Sequence, residues 1–148
     1  MVSKNNAYDA LLRLRRRREA AAVQAFHRAQ QAADDCRRTA DELRGAAAGH
    51  EAVAREAVFA GRPYPAVQRA CLAELARARA AEAPRRANAD TRCERARGEL
   101  LEAMRQRKAL SCLKERQERL AQLAVARREA DEADDRYAAH RAFAPGAS

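Results

Sequence analysis

The segment Gly61-Arg62-Pro63-Tyr64-Pro65 constrains this chain more than any other. It holds two of the four prolines and one of the five glycines, and the chain on either side of it has helical patterning for more than about fifty residues. A glycine just past a helix end supplies the positive φ that a helix stop needs. Pro63 and Pro65 push Arg62 and Tyr64 toward extended backbone. Pro65 suits the first position of a new helix, where a missing N–H costs nothing. These residues predict a helix ending near Ala60, a second beginning near Pro65, and two arms folded back from a tip. The competing reading is one long helix with a proline kink, but two prolines two residues apart beside a glycine make a poor kink.

Composition narrows the fold. Hydrophobic residues are 47% of the 148, but 40 of them are alanine; there is no isoleucine or tryptophan, and only three phenylalanines and three tyrosines. Alanine removes little apolar area from water, so a thick core is hard to build. Alanine, arginine, glutamate and leucine are strong helix formers, and strand-like alternation is absent. The expectation is an all-α single domain, residues 1–148: two long helices in an antiparallel coiled-coil hairpin. Arm one covers about 6–60, the turn 61–65, arm two about 66–141, and a frayed tail 142–148.

Arm one opens with a polar lead in which Asn6 is a candidate N-cap, with Asp9 in the first turn. Three- and four-residue steps then link Tyr8, Leu12, Ala22, Phe26, Ala29, Ala33, Cys36, Ala40, Leu43 and Ala47. The same register places Arg15, Glu19 and His50 on the seam, an imperfect heptad with small side chains and close packing. Beside the turn, Val53, Ala57, Val58 and Phe59, then Tyr64, Val67, Cys71, Leu72 and Leu75, form an apolar patch. It either caps the hairpin or docks a partner. Pro84 predicts a kink in arm two rather than a break. Leu100, Leu101, Met104, Leu110, Leu113, Leu120 and Leu123 follow, then an acidic run, Glu129, Asp131, Glu132, Asp134 and Asp135.

A turn centred on Pro63 pairs residue i with about residue 126 − i. That register brings Leu11, Leu12 and Leu14 to Leu110 and Leu113, and leaves residues after about Arg127 overhanging. Each arm is then roughly 80 Å long at 1.5 Å per residue. The rival register sets Arg15–Arg18 against the acids at 129–135. Apolar burial outweighs exposed ion pairs, which favours the leucine register.

The net charge of +9 comes from 30 basic and 21 acidic residues. Pairs such as Glu51 with Arg55 and Glu115 with Arg119 suit a solvated helix surface. Arg13 and Arg15–Arg18 form the sharpest basic run, which fits a solvated face, a protein partner or nucleic acid. The even spread of basic residues along the chain and the lack of aromatic interleaving argue against nucleic acid. Cys36, Cys71, Cys93 and Cys112 form no CxxC, and His27, His50 and His140 fall in no metal spacing with them, so structural zinc is not expected. Free thiols in a reducing compartment are expected instead. No apolar run approaches the ~20 residues of a membrane span. Phosphate loops, GxSxG and HExxH are missing, and a two-helix rod offers no deep pocket to shift a pKa. The chain is read as no enzyme, with no catalytic residues, cofactor or metal.

Leu11-Leu12-Arg13-Leu14-Arg15 followed by an alanine-rich helix, the stretch from Leu110 to Leu120, and Arg127-Arg128-Glu129-Ala130-Asp131-Glu132 resemble the stalk proteins of type III export systems, the YscO/FliJ family. The likeness covers nearly the whole chain. It implies a small cytoplasmic protein, peripheral to a membrane-embedded secretion apparatus, that links a hexameric export ATPase to an export-gate membrane protein. Some members of that family also bind free export chaperones. The open end would enter the ATPase ring, with Leu11, Leu12, Arg15, Leu113, Arg116 and Leu120 as ring-facing candidates. The tip would reach the gate through Phe59, Tyr64, Val67 and Leu72. The alternatives are a basic coiled-coil nucleic-acid binder, whose binding falls steeply with salt, and a structural homodimer or tetramer of hairpins.

Overall fold

The computed structural model describes the backbone of residues 2–144 and 146, and side chains from residue 6 onward within that range. Two α-helices account for nearly all of it: α1, Val2–Phe59, and α2, Ala66–Phe143. They form an all-α helical hairpin with no strand among the described residues. The last positions of the expected tail, 145, 147 and 148, lie outside the described residues.

The turn is built from backbone hydrogen bonds. Gly61 takes a φ of 63°. The Gly61 N–H donates to the Val58 carbonyl at 3.1 Å, and the Arg62 N–H to the Ala57 carbonyl at 2.9 Å. This is the Schellman arrangement, which satisfies carbonyls that a helix end would otherwise orphan. The Pro65 carbonyl then accepts from the Arg69 N–H at 3.2 Å, so Pro65 caps α2 rather than occupying its first turn. Asn6 is not an N-cap: α1 already runs from Val2. Nothing in Val2-Ser3-Lys4-Asn5 forbids helix, and a polar residue alone does not start one. Pro84 lies inside α2 without ending it. Its missing N–H leaves the Ala80 carbonyl without the usual partner, a local loss that the flanking turns outweigh.

The chain separates into two compact units, one of residues 17–104 and one of residues 1–16 with 105–148. In the first, half-buried and buried positions of α1 run in one line, Ala22, Phe26, Ala29, Ala33, Cys36, Ala40, Leu43, Ala47, His50, Ala54 and Ala57, with Glu19 one step before it and Val23 and Ala25 half-buried beside it. The line alternates three- and four-residue steps without a fault, the coiled-coil seam. On α2 the corresponding line is Gln68, Cys71, Leu75, Ala78, Glu82, Arg86, Ala89, Cys93, Ala96, Leu100 and Ala103. Two four-residue steps occur in succession there, Ala78 to Glu82 to Arg86, so the eleven residues from Ala78 to Asn88 make three turns around Pro84. The two lines match one to one. Arg37 bonds Asp90 at 3.3 Å, where the 126 − i rule places residue 89. Among the described residues of this unit the buried side chains are alanines, Ala33, Ala47 and Ala89. The helices lie close, and little apolar area holds them.

In the second unit, Leu12 is buried at 6% exposure and Tyr8, Arg15, Leu110, Lys114 and Glu118 are half-buried. Asp9 meets Lys114 and Arg15 meets Gln106. This is the register that brings leucines together, and it excludes pairing of Arg15 with the acids at 129–135. The leucine contact is narrower than expected, however. Leu12 and Leu110 lie on the seam, but Leu11, Leu14 and Leu113 are 47%, 44% and 51% exposed. The overhang also begins earlier than Arg127: every residue from Arg119 to Ala144 is exposed.

Candidate partner-binding surfaces

Three surfaces stand out, and each follows from how the seam is filled. The first is the stretch of α2 after residue 105 with the start of α1. Lys114 occupies a seam position opposite Leu12, and its ammonium reaches the Asp9 carboxylate at 2.7 Å and Glu118 at 3.6 Å. The hydrogen bond from Lys114 holds the Asp9 carboxyl below its usual 3.8; partial burial opposes this, and the charges of Lys114, Arg13 and Arg16 add to it. The same bond raises Lys114 above its usual 10.5, again against partial burial, with help from the charges of Asp9 and Glu118.

The pair sets a pH window. A lowered carboxylate contributes stability above its unfolded value and loses it as pH falls through the folded one. A raised ammonium contributes below its unfolded value and loses it as pH rises through the folded one. The contribution is therefore flat between 3.8 and 10.5 and disappears on both sides. The thermal midpoint followed by circular dichroism should drop outside that window. In Asp9→Asn the acid-side drop should shrink and the midpoint inside the window should fall.

Around this pair, Leu11, Leu113, Arg116 and Leu120 are exposed, and Arg15 is half-buried with its guanidinium donating to the Gln106 side chain. Leu12 differs from the other five ring-facing candidates because it fills the seam and presents almost nothing outward. Arg13, Arg16, Arg17 and Arg18 are exposed.

The second surface adjoins the turn. Phe59 is 95% exposed, Val58 71% and Val67 74%. Leu72 and Tyr64 are half-buried. The Tyr64 hydroxyl oxygen is buried without a hydrogen-bond partner among the described residues. Phe59 and Val67 thus form the outward part of the tip patch, and Tyr64 and Leu72 its base.

The third surface was not anticipated from the sequence. A shallow groove of about 380 Å³ lies where the α2 line takes its two four-residue steps, lined by Ala40, Arg44, Arg79, Glu82, Ala87 and Asp90 among others. Alanines leave the space, and charged groups border it. The doubled step and Pro84 were the only signals in the sequence.

The pairs Glu51–Arg55 and Glu115–Arg119 form at 4.0 Å, the outer limit of an ion pair. They are exposed and contribute little. The four cysteines are unbridged, and no group of residues suited to hold a metal occurs among the described residues. None of the described helices is long and apolar enough to cross a membrane.

The candidate chemistry of this helical hairpin lies on exposed surfaces. The family model described as Flagellar FliJ protein matches residues 4–147, so the chain belongs to the FliJ family, a family of protein-export components. No curated protein and no solved structure matches the chain.

Proposed function

We propose that this protein is the central shaft of a type III protein secretion apparatus, joining the hexameric export ATPase to the export gate and handling export chaperones along its length. The supporting observation is the distribution of exposed apolar side chains in a chain of this family. Leu113 and Leu120 on α2 and Leu11 on α1 are 51%, 56% and 47% exposed at one end of the helices, and Phe59 and Val67 are exposed at the turn. Two separate apolar surfaces on a helical hairpin suit two separate partners. Leu11, Arg15, Leu113, Arg116 and Leu120 face the ATPase ring in this reading, and Leu12 supports them by holding α1 to α2. Phe59 and Val67 face the gate, with Tyr64 and Leu72 beneath them. The protein acts in the cytoplasm beside a membrane-embedded apparatus.

The test uses the purified export ATPase as hexamer and the full chain. Leu113→Asp with Leu120→Asp should weaken binding about tenfold or more, since a few apolar anchors dominate such contacts, while the helical circular-dichroism signal stays unchanged. Unchanged affinity overturns the assignment of the ring face. If the only partners are removed by nuclease and require Arg13 and Arg16–Arg18, the shaft reading falls and the nucleic-acid reading replaces it.

A further inference from the structure

Past Glu118, α2 has no seam: every side chain from Arg119 to Ala144 is exposed, although the helix runs on to Phe143. It is not uniformly polar. Leu120, Leu123, Ala126, Ala130, Ala133 and Tyr137 recur at three- and four-residue steps, a continuous apolar stripe along one face. Leu120 and Leu123 are 56% exposed and Tyr137 69%. Arg127 and Asp134 border the stripe on its same side, and neither has an ion-pair partner among the described residues, whereas Arg136 is already bonded to Glu132 at 3.2 Å.

We propose that this segment docks against the same segment of a second copy, the two running antiparallel about a twofold axis near Ala130. The sequence is self-complementary about that point. Ala130 faces its own copy at the centre, where small side chains allow close approach. Leu123 meets Tyr137 on each side. Arg127 comes within reach of Asp134, and symmetry repeats the pair. A partner whose charges were all of one sign would leave either Arg127 or Asp134 facing its own kind; a copy of the chain satisfies both. At 1.5 Å per residue the paired segment is about 36 Å long and buries on the order of 1,000 Å², the low end of specific interfaces. The association is therefore weak, with a dissociation constant of about 10 to 100 µM. It goes beyond the shaft reading and does not rest on it, since it is read from self-association without the ATPase.

Sedimentation equilibrium of the full chain over about 10 to 500 µM tests it. The mass should rise from the monomer's 16.4 kDa toward twice that value. Leu123→Asp should remain monomeric at equal helicity. Arg127→Asp and Asp134→Arg should each lose self-association by about tenfold, and an equimolar mixture of the two should recover it, because each altered charge then faces its opposite. A wild-type chain that stays monomeric throughout overturns the proposal. So does dimerisation that survives Leu123→Asp, or a mixture that fails to associate better than its components.

Discussion

Leu12→Asp should remove about 3 to 5 kcal/mol of stability and unpair the start of α1, whereas Leu113→Asp should leave the fold unchanged. The two leucines differ in surroundings, not chemistry. Leu12 is 6% exposed, the only large aliphatic side chain buried among the described residues, and Leu113 is 51% exposed. A carboxylate at position 12 would lie in the seam beside Asp9, which already uses the nearest ammonium, Lys114. Urea titration followed by circular dichroism reads the difference. Equal loss in both variants would mean that Leu113 packs against something, contrary to its exposure. The contrast also matters for function. A binding defect in Leu12→Asp reports on folding, whereas the exposed Leu11, Leu113, Arg116 and Leu120 probe the outer surface by themselves.

The second large effect is a pair of opposite sign. Gly61→Ala should destabilise by about 1 to 2 kcal/mol, and Gly45→Ala should stabilise by about 1 kcal/mol. At both positions an added Cβ meets nothing within 4 Å, so crowding plays no part. What differs is the backbone. Gly61 holds a φ of 63°, which disfavours any Cβ and on which both Schellman hydrogen bonds depend. Gly45 lies in the interior of α1, where alanine loses less entropy on ordering. Thermal melts of the two variants measured side by side settle it; the same sign in both would refute the account of the turn.

The first helix was legible in the sequence because its seam keeps one period. Tyr8, Leu12, Ala22, Phe26 and the residues after them predicted the buried line, including polar members such as Arg15 and His50. Proline and glycine chemistry located the turn to within a residue. The second helix was less legible for a physical reason. Its leucines do not by themselves mark the inward face: Leu75, Leu100 and Leu110 lie on the seam, but Leu101, Leu113, Leu120 and Leu123 are exposed, while Ala96, Ala103, Cys93 and Lys114 sit on the seam. When alanine fills a seam, hydrophobicity no longer distinguishes inside from outside, and only period does. That period breaks at Ala78–Glu82–Arg86, which no reading of leucines would reveal. The seam period separates Leu12, which is buried, from Leu11 one position away, which is exposed; apolar character alone does not.

The eleven residues from Ala78 to Asn88 carry a mechanical consequence. A seven-residue repeat winds paired helices into a left-handed supercoil, and an eleven-residue repeat winds them the other way. On α2 the two repeats meet here while α1 keeps its seven-residue repeat, so the winding of the pair is weakest in this stretch. Torque applied along it meets the least resistance there, in a segment where Pro84 has removed one backbone hydrogen bond and Ala83 and Ala87 leave side chains room to move. Twisting strain should gather in this short stretch and spare the alanine layers on either side of it.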